Sequence, residues 1–278
     1  MRLFRYFIPA ALLAATSLTG TAQAADVEMW RLDCGNIEIR ELSMFSDSFH
    51  YAGQKKVLAD GCYLIRHGED YMLWDTGLPA GVVGQPANPE GPFGLTLERS
   101  IPDQLADIGV KSEQIGRIGI SHYHFDHLGQ AASFPGATLM IGAKDWEALH
   151  AEPLPFGADP NLVKPWMDGG KVDPVAGDKD VFGDGSVMML AMPGHTPGEA
   201  ALLVRLPDTG PVLLSGDVVH FHEQLPDQRV PPFNANRADS LASMDRLTDI
   251  AEELDATLII QHDAEDVAKL PAFPQSAK

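Results

Sequence analysis

Short apolar runs alternate with helical patterns along most of the chain. The runs are rich in Val, Ile, Leu and Met and have the length of buried β-strands. They are Cys62–Arg66, Tyr71–Trp74, Ile118–Ser121, Thr138–Ile141, Val187–Met192, Ala200–Arg205, Val212–Ser215 and Thr257–Ile260. Alternation of such strands with helices indicates an α/β fold rather than an all-β fold.

One helix is predicted near the end of the chain. Apolar residues recur there every three or four positions, at Leu241, Met244, Leu247, Ile250 and Leu254. Asp239 and Ser240 precede them and belong to the residue types that cap helix N-termini. The helix should lead directly into the strand that begins at Thr257.

Two stretches carry no regular pattern, Gly77–Gly94 and Glu152–Asp184. Both are dense in Gly or Pro, and neither has the Ser/Gly monotony of a linker between domains. Long irregular segments inside a compact domain usually lie over a functional site. Because no internal repeat divides the chain either, we expect residues 25–278 to form one domain.

The first 24 residues differ from the rest. Arg2 and Arg5 precede an apolar run that extends from residue 7 to residue 18, and Ala22-Gln23-Ala24 is a small-x-small cleavage signal. An uncleaved anchor is the less favoured alternative, because the run is too short to span a membrane. We expect residues 1–24 to be a signal peptide, and the protein to be periplasmic or secreted without a stable membrane anchor.

The composition is that of a folded, strongly acidic protein. The chain has 20 Lys and Arg against 39 Asp and Glu, a net charge of −19, and loss of residues 1–24 removes two Arg to give −21. Such a surface repels nucleic acid, which is therefore not an expected partner. The sequence leaves open whether Cys34 and Cys62 pair, and whether the protein is a homodimer.

Candidate chemistry is concentrated at residues 121–129, which read Ser-His-Tyr-His-Phe-Asp-His-Leu-Gly. The two-residue spacing of His122 and His124 suits an extended chain leaving a strand better than one face of a helix. These two side chains would face one metal ion. Asp126 and His127, at the following turn, would reach a second ion nearby.

Three further candidate ligands follow other predicted strands. They are His195 after Val187–Met192, Asp217 after Val212–Ser215, and His262 after Thr257–Ile260. The carboxyl ends of strands are where α/β proteins gather their sites. Five imidazoles, two carboxylates and no thiolate favour two zinc ions, with iron, cobalt or manganese as alternatives. Such a centre would hold a bridging hydroxide as nucleophile and stabilise an oxyanion, as a hydrolase requires.

This constellation resembles the metallo-β-lactamase superfamily of dinuclear hydrolases. The similarity covers residues 57–263 and includes Pro-Gly-His-Thr-Pro-Gly around His195 and Ser-Gly-Asp at Asp217. It implies an α/β (α+β) fold, a four-layer αββα sandwich with the site at one edge. It also implies one ion at His122, His124 and His195, a second ion at Asp126, His127 and His262, and Asp217 as the bridge. Asp75, in Trp-Asp-Thr-Gly, resembles a family residue that supports the ligand loops from behind.

The candidate ligands also distinguish between groups within this superfamily. Both Cys precede residue 63, which excludes β-lactamases with a Cys ligand, and β-lactamases with only His and one Asp lack the bridge that Asp217 offers. Few bases follow Arg246 to bind glutathione, and a net charge of −21 disfavours polyanionic substrates. The chain is most similar to the N-acyl-homoserine lactone lactonases, which implies opening of a lactone ring. A β-lactam or another ester or amide is the alternative substrate, and a non-catalytic zinc-binding protein is the alternative class.

One position departs from the lactonase pattern. Those enzymes carry a Tyr three residues after the bridging Asp that is thought to contact the lactone carbonyl, whereas this chain has His220. An imidazole titrates near neutral pH and can act as a general acid, so we expect Asp126 or His220 to pass a proton to the leaving alkoxide. The alternative is that His220 is a solvent-exposed side chain beside the site, with His222 as a substitute. Glu199 stands where many lactonases have a further His that is not a ligand.

Apolar residues near the motifs are candidates for substrate binding. Phe125 matches an aromatic residue that follows the second His in the lactonases. Met44 and Phe45 precede the first motif, and Phe156 and Trp166 lie in the second irregular stretch. An acyl group could be housed there, although core packing explains any one of these aromatic residues as well.

Overall fold

Two β-sheets dominate the computed structural model, which describes residues 26–278. The predicted signal peptide lies outside the described residues. The strands of the described residues are β1 (Val27–Ile39), β2 (Lys56–His67), β3 (Asp70–Trp74), β4 (Phe93–Thr96), β5 (Ile115–Ile120), β6 (Thr138–Gly142), β7 (Val172–Val175), β8 (Lys179–Asp180), β9 (Val187–Ala191), β10 (Ala200–Leu206), β11 (Gly210–Leu214) and β12 (Thr257–Ile259). All eight predicted strands are confirmed, with shifts of a few residues at their ends.

Six α-helices accompany these strands in the described part of the chain. They are α1 (Ile101–Asp107), α2 (Phe125–Leu128), α3 (Ala143–Ala148), α4 (Lys164–Met167), α5 (Arg237–Glu253) and α6 (Ala264–Val267). Only α5 is longer than two turns. No helix between residues 26 and 278 combines the length and the apolar character needed to cross a membrane.

The first sheet has seven strands in the order β4-β1-β2-β3-β5-β6-β7, and the second has five in the order β12-β11-β10-β9-β8. Strands β3, β5, β6 and β7 run parallel, and the amino-terminal strands of the first sheet are antiparallel. In the second sheet, only β11 and β12 are parallel. The parallel pairs bring several strand carboxyl ends to one edge of the molecule.

Three apolar cores separate four layers. Side chains from both sheets meet in the central core, which includes Tyr63, Trp74 and Leu202. Short helices cover the outer face of the first sheet around Leu73 and Ile118, and α5 covers the outer face of the second sheet. The expected αββα sandwich in a single domain is therefore confirmed.

The sequence pattern does not predict four of the observed strands. Three of them, β4, β7 and β8, lie at sheet edges, where an apolar pattern is weak because one side faces solvent. β7 contains Pro174, which an edge strand tolerates because the missing N–H has no partner to lose. β1 is long and central, but Asp33 and Gly35 interrupt its apolar alternation at a bulge opposite β2.

The long helix begins earlier than predicted. Asn236 caps α5 by accepting the backbone N–H groups of Ala238 and Asp239, so the proposed caps Asp239 and Ser240 are wrong. The first turn carries no large apolar side chain, and an apolar periodicity therefore misses it. The helix then leads into β12, as predicted.

Cys34 of β1 and Cys62 of β2 form a disulfide. The bond lies at the bulge of β1, against the outer core of the first sheet. The backbone carbonyl of Cys34 also accepts the N–H of Leu78 at 3.1 Å. The disulfide therefore anchors the turn at Gly77, which follows Asp75.

Candidate metal centre

The carboxyl ends of four strands, β5, β9, β11 and β12, converge at one edge of the sandwich. His122 and His124 follow β5, and Asp126 and His127 lie in α2 directly behind them. The other candidate ligands come from the second sheet, with His195 after β9, Asp217 after β11 and His262 after β12. The structure thus brings together all seven residues that the sequence singled out as candidate ligands.

The first cluster contains His122, His124, His195 and Asp217, with one possible ligand atom from each within 4.8 Å of the others. Nε2 of His195 lies 3.1 Å from Nε2 of His122 and 2.9 Å from Nδ1 of His124. Three imidazole nitrogens therefore point at a common centre. All four side chains are buried.

The second cluster contains Asp126, His127 and His262. Asp217 lies between the clusters and offers one oxygen to each. Its Oδ2 is 3.4 Å from Nε2 of His195 and 3.7 Å from Nε2 of His122. Its Oδ1 is 3.1 Å from Nε2 of His262 and 3.4 Å from Nε2 of His127.

This arrangement fits two divalent ions. Oδ1 of Asp217 and Nε2 of His127 are buried and accept or donate no hydrogen bond among residues 26–278. Buried polar atoms are rarely left without a partner unless an ion or a water completes them. Imidazole and carboxylate donors in this number are typical of zinc, and a bridging carboxylate is suited to two ions side by side.

The outward nitrogens of the ligand histidines are held by protein oxygens. Phe156 and Ala59 offer backbone carbonyls to His124 and His262 at 3.2 Å and 2.7 Å, and Asn234 offers its side-chain oxygen to His195 at 3.0 Å. Such partners fix the tautomer and the ring orientation of a metal-binding imidazole. Neither Asn234 nor the two carbonyls could be found from the sequence, because nothing local marks these contacts.

Asp75 occupies the place behind the second cluster that the resemblance implied. Its Oδ2 lies 2.9 Å from Nδ1 of His127 and accepts Nε2–H of Gln261 at 2.9 Å, while Oδ1 accepts the N–H of Ser121 at 2.7 Å. Its backbone has a φ of 54°, in the left-handed region that few side chains adopt. One buried carboxylate thus ties together the loops that carry His122, His127 and His262.

The electrostatics of the two clusters differ. Burial and neighbouring imidazoles lower the pKa of His122 and His195 well below the usual range, and burial lowers the pKa of His124 to about 4. Burial acts likewise on His127 and His262, but Asp217 outweighs it, aided at His127 by Asp75. The pKa of His127 is raised well above its usual range, and that of His262 to about 9.

The surrounding histidines act on Asp217 in return. Burial alone would raise the pKa of its carboxyl group, but His262, His220, His127 and His122 together hold the pKa well below its usual range. Asp217 is therefore ionised at neutral pH. Its negative charge and the neutral imidazoles of the first cluster are the forms that bind a cation.

His220 lies at the rim of the clusters and not on the protein surface. It is buried, and its Nε2 is 3.2 Å from Oδ2 of Asp217. Phe45 packs edge-on against its ring, with a centroid separation of 4.9 Å. His222 points elsewhere and lies 2.6 Å from a carboxylate oxygen of Asp266, so it does not substitute for His220.

An apolar cavity opens onto Asp217 and His220. The four predicted substrate contacts Met44, Phe45, Phe125 and Phe156 all line it. Trp166 does not; it is buried in the outer core of the first sheet, where its indole N–H donates to the carbonyl of Ala137. Sequence reasoning missed five apolar lining residues, Ile37, Ile39, Leu58, Phe93 and Phe233.

Comparison with known proteins gives the family. Residues 61–262 match the family model described as Metallo-beta-lactamase superfamily, and this stretch spans most of the chain. The chain belongs to the metallo-beta-lactamase superfamily. Together with the two clusters, this membership identifies a dinuclear metal site in a metal-dependent hydrolase.

Members of the superfamily with similar sequences are N-acyl homoserine lactonases. The chain is 28% identical over 230 residues to N-acyl homoserine lactonase AttM of Rhizobium radiobacter, and 30% identical over 223 residues to N-acyl homoserine lactonase of a Bacillus species. Each match covers 77% of this chain and 85% of the relative.

A solved superfamily structure confirms the shared fold. It is an N-acyl homoserine lactone hydrolase with the product N-hexanoyl-L-homoserine bound at its catalytic metal centre. It superposes with a TM-score of 0.77 at 24% identity, covering 90% of this chain and 98% of that one.

Proposed function

We propose that the protein is a dizinc hydrolase that opens lactone rings of the N-acyl homoserine lactone type. The observation that carries the proposal is the apolar cavity that opens directly onto Asp217, between two histidine clusters. The relatives that are N-acyl homoserine lactonases support the same substrate class. An acyl chain would occupy the apolar part, and the lactone carbonyl would lie at the clusters.

The geometry supports the following assignment of ligands to the proposed centre. His122, His124 and His195 would hold the first ion, Asp126, His127 and His262 the second, and Asp217 would bridge them. Zinc is the favoured metal because the donors are imidazoles and carboxylates without a thiolate, although iron, cobalt and manganese accept the same donors. When bound, two such ions polarise a carbonyl and lower the pKa of water enough to supply a nucleophile near neutral pH.

The residues around the carbonyl would orient it and handle a proton. His220, with Nε2 3.2 Å from Oδ2 of Asp217, lines the cavity and would donate a hydrogen bond to the lactone carbonyl or to the leaving oxygen. The partly accessible side chain of Asp126 faces the cavity and could carry a proton to the leaving alkoxide. Phe45 holds His220 in this position through its edge-on contact.

The cavity wall selects against charged substrates. Among the described residues that line it, none is Lys or Arg, and the polar ones are the metal-centre residues and His220. Away from the metal centre, a phosphodiester or a glutathione conjugate would find no Lys or Arg to pair with its negative charge. Met44, Phe45, Phe125 and Phe156 would instead bury an apolar acyl chain, which gains about 25 cal/mol for each Å² removed from water.

We also propose that the protein acts in the periplasm or outside the cell, after loss of residues 1–24. The pairing of Cys34 with Cys62 supports this proposal, because disulfides persist in oxidising compartments and are rare in the cytosol. Fractionation of cells and N-terminal sequencing of the mature chain test it. A mature N-terminus at Ala25 is expected, and a cytosolic protein that retains residue 1 would contradict it.

Mass spectrometry of the product tests the ring-opening reaction. Incubation of the zinc-loaded protein with N-hexanoyl homoserine lactone in ¹⁸O water should give N-hexanoyl homoserine with one ¹⁸O in its new carboxylate. Release of hexanoate would instead show cleavage of the amide. A chromogenic cephalosporin assayed in parallel tests the β-lactam alternative, and its hydrolysis without lactone turnover would refute the proposal.

A further inference from the structure

Glu199 lies behind the metal centre and between two of its proposed ligands. Only 1% of its surface is exposed. Its Oε1 accepts the backbone N–H of Asp217 at 2.9 Å. Its Oε2 accepts no hydrogen bond from the described residues and lies 3.3 Å from Nδ1 of His122. The carboxylate thus lies between His122, which follows a strand of the first sheet, and Asp217, the proposed bridging ligand, which follows a strand of the second sheet.

Both neighbours of this carboxylate are hydrogen-bond donors in a loaded centre. Nε2 of His122 points at the other ligands, 3.1 Å from Nε2 of His195, so the lone pair must be on Nε2 and the proton on Nδ1. The amide of Asp217 can only donate. A side chain that accepts one hydrogen bond from each of these two donors through a separate oxygen must have two acceptor oxygens. A carboxylate has two, and a carboxamide has one.

The backbone beside Glu199 is shaped to admit it. Gly216, directly before Asp217, has a φ of +56°, and a Cβ at this position would collide with Oε1 of Glu199. The glycine therefore permits the close approach of the carboxylate to the Asp217 amide.

We propose that Glu199 is a positioning residue that fixes His122 and Asp217 relative to each other and thereby sets the affinity of the centre for its first ion. The inference rests on the dinuclear centre of the proposed function and is independent of the substrate. It gives the orphaned Oε2 a partner, the Nδ1–H of His122. It also links the two sheets at the point where their ligands meet.

Ser121 is the competing partner of His122. Its Oγ lies 3.1 Å from Nδ1 of His122 and 3.1 Å from Nδ1 of His127. A hydroxyl oxygen could accept the proton of either imidazole. His127 has Asp75 as a further acceptor, whereas His122 has only Ser121 and Glu199 among these contacts. Separate substitution of the two residues therefore distinguishes them.

Metal titration of the variants tests the proposal. Zinc affinity is measured by competition with a chelator, and cobalt absorption spectra report the geometry of the first site. Glu199→Gln should lower the affinity for the first ion by about 10- to 100-fold and shift the cobalt absorption bands, as expected when the outer hydrogen-bond partner of a ligand is lost. Ser121→Ala should change both quantities less. Glu252→Gln, at an exposed position of α5, is the matched control and should match the parent.

Parental affinity and cobalt spectrum in Glu199→Gln, or a larger loss in Ser121→Ala, would overturn the proposal. If Glu199→Gln does not fold, NMR of the zinc-loaded parent supplies a second measurement. A slowly exchanging, far-downfield Nδ1–H of His122 supports a carboxylate partner, and a resonance typical of a hydroxyl acceptor overturns it. A parent that binds two ions but opens no lactone would refute only the proposed function.

Discussion

At the scale of single residues, Asp217 is the group on which both metal clusters depend. Its two oxygens face different clusters, and one nitrogen from each of four candidate ligand imidazoles lies between 3.1 and 3.7 Å from them. We expect Asp217→Asn to reduce zinc affinity and kcat by more than the roughly 10- to 100-fold that loss of an outer partner costs. Competition with a chelator and turnover of the purified variant measure both, and a near-normal result for either would refute the bridge.

His220 can be tested without removing a ligand. We expect His220→Phe, which keeps the ring packed on Phe45, to lower kcat by at least the roughly 100-fold typical of a lost proton donor. KM and zinc content should change little, because neither acyl binding nor the clusters need the imidazole. A variant with parental kcat would show that His220 only fills space.

The candidate ligands could be predicted from the sequence because their spacing is local or tied to strand ends. His122, His124, Asp126 and His127 lie in one short motif, and the family resemblance supplied Asp75. Glu199 and Asn234 act only through contacts between distant segments, and no pattern in the sequence reports such contacts. The cavity wall is similar: Phe93 and Phe233 reach it from segments without regular periodicity.

At the scale of elements, Asp145 at the start of α3 joins two ligand-bearing loops. It accepts the hydroxyl of Thr196 at 2.7 Å, the N–H of Gly198 at 2.6 Å and the N–H of Tyr123 at 3.2 Å. Thr196 and Gly198 follow His195 on one loop, and Tyr123 lies between His122 and His124 on the other. Asp145→Asn must face one of these donors with its own amide N–H, so near pH 4 we expect a loss of about 1–3 kcal/mol in unfolding free energy relative to the parent.

The same substitution should change the pH dependence of stability. Burial raises the pKa of Asp145 to about 7, and its three hydrogen bonds only partly offset this. The folded state therefore retains a proton that the unfolded state loses, and this group destabilises the fold increasingly as pH rises from about 4 to about 7. The stability advantage of the parent over Asp145→Asn should shrink across that range in urea unfolding. Asp249→Asn, exposed on α5, is the control, and a constant advantage would contradict the shift.

The disulfide joins β1 to β2 beneath the turn that carries Asp75. It closes a loop with a sequence separation of 28 residues, for which chain entropy gives about 3–4 kcal/mol. We expect the double variant Cys34→Ala/Cys62→Ala to unfold at correspondingly lower denaturant concentration. Unchanged unfolding, compared with the parent under oxidising conditions, would show that the bond contributes nothing to stability.

Prediction of the elements succeeded where burial is two-sided. Seven of the eight predicted strands lie inside their sheets and carry apolar runs because helices or the other sheet cover both faces. The exception is β12, which lies at a sheet edge. The edge strands β4, β7 and β8 lack a continuous apolar run. The bulge at Asp33 interrupts the apolar pattern of β1, so the sequence does not predict this strand. The polar first turn of α5 likewise hides its start at Arg237.

At the scale of the whole molecule, the metal centre exists only when the two sheets are packed together. The first sheet supplies His122 and the residues of α2, and the second supplies His195, Asp217 and His262. Binding of ions should therefore stabilise the folded state, since the unfolded chain has no such site. The net charge of −21 expected for the mature chain favours neutral substrates over anionic ones.

The most direct test of a dinuclear lactonase is turnover of an N-acyl homoserine lactone as a function of zinc ions bound per chain. The metal-free protein, prepared by chelation, is reloaded stepwise, and proton release is followed at constant pH. We expect no turnover without metal and full turnover only as two ions are bound. Lactone hydrolysis by the metal-free protein, or none with two ions bound, would contradict the proposed function.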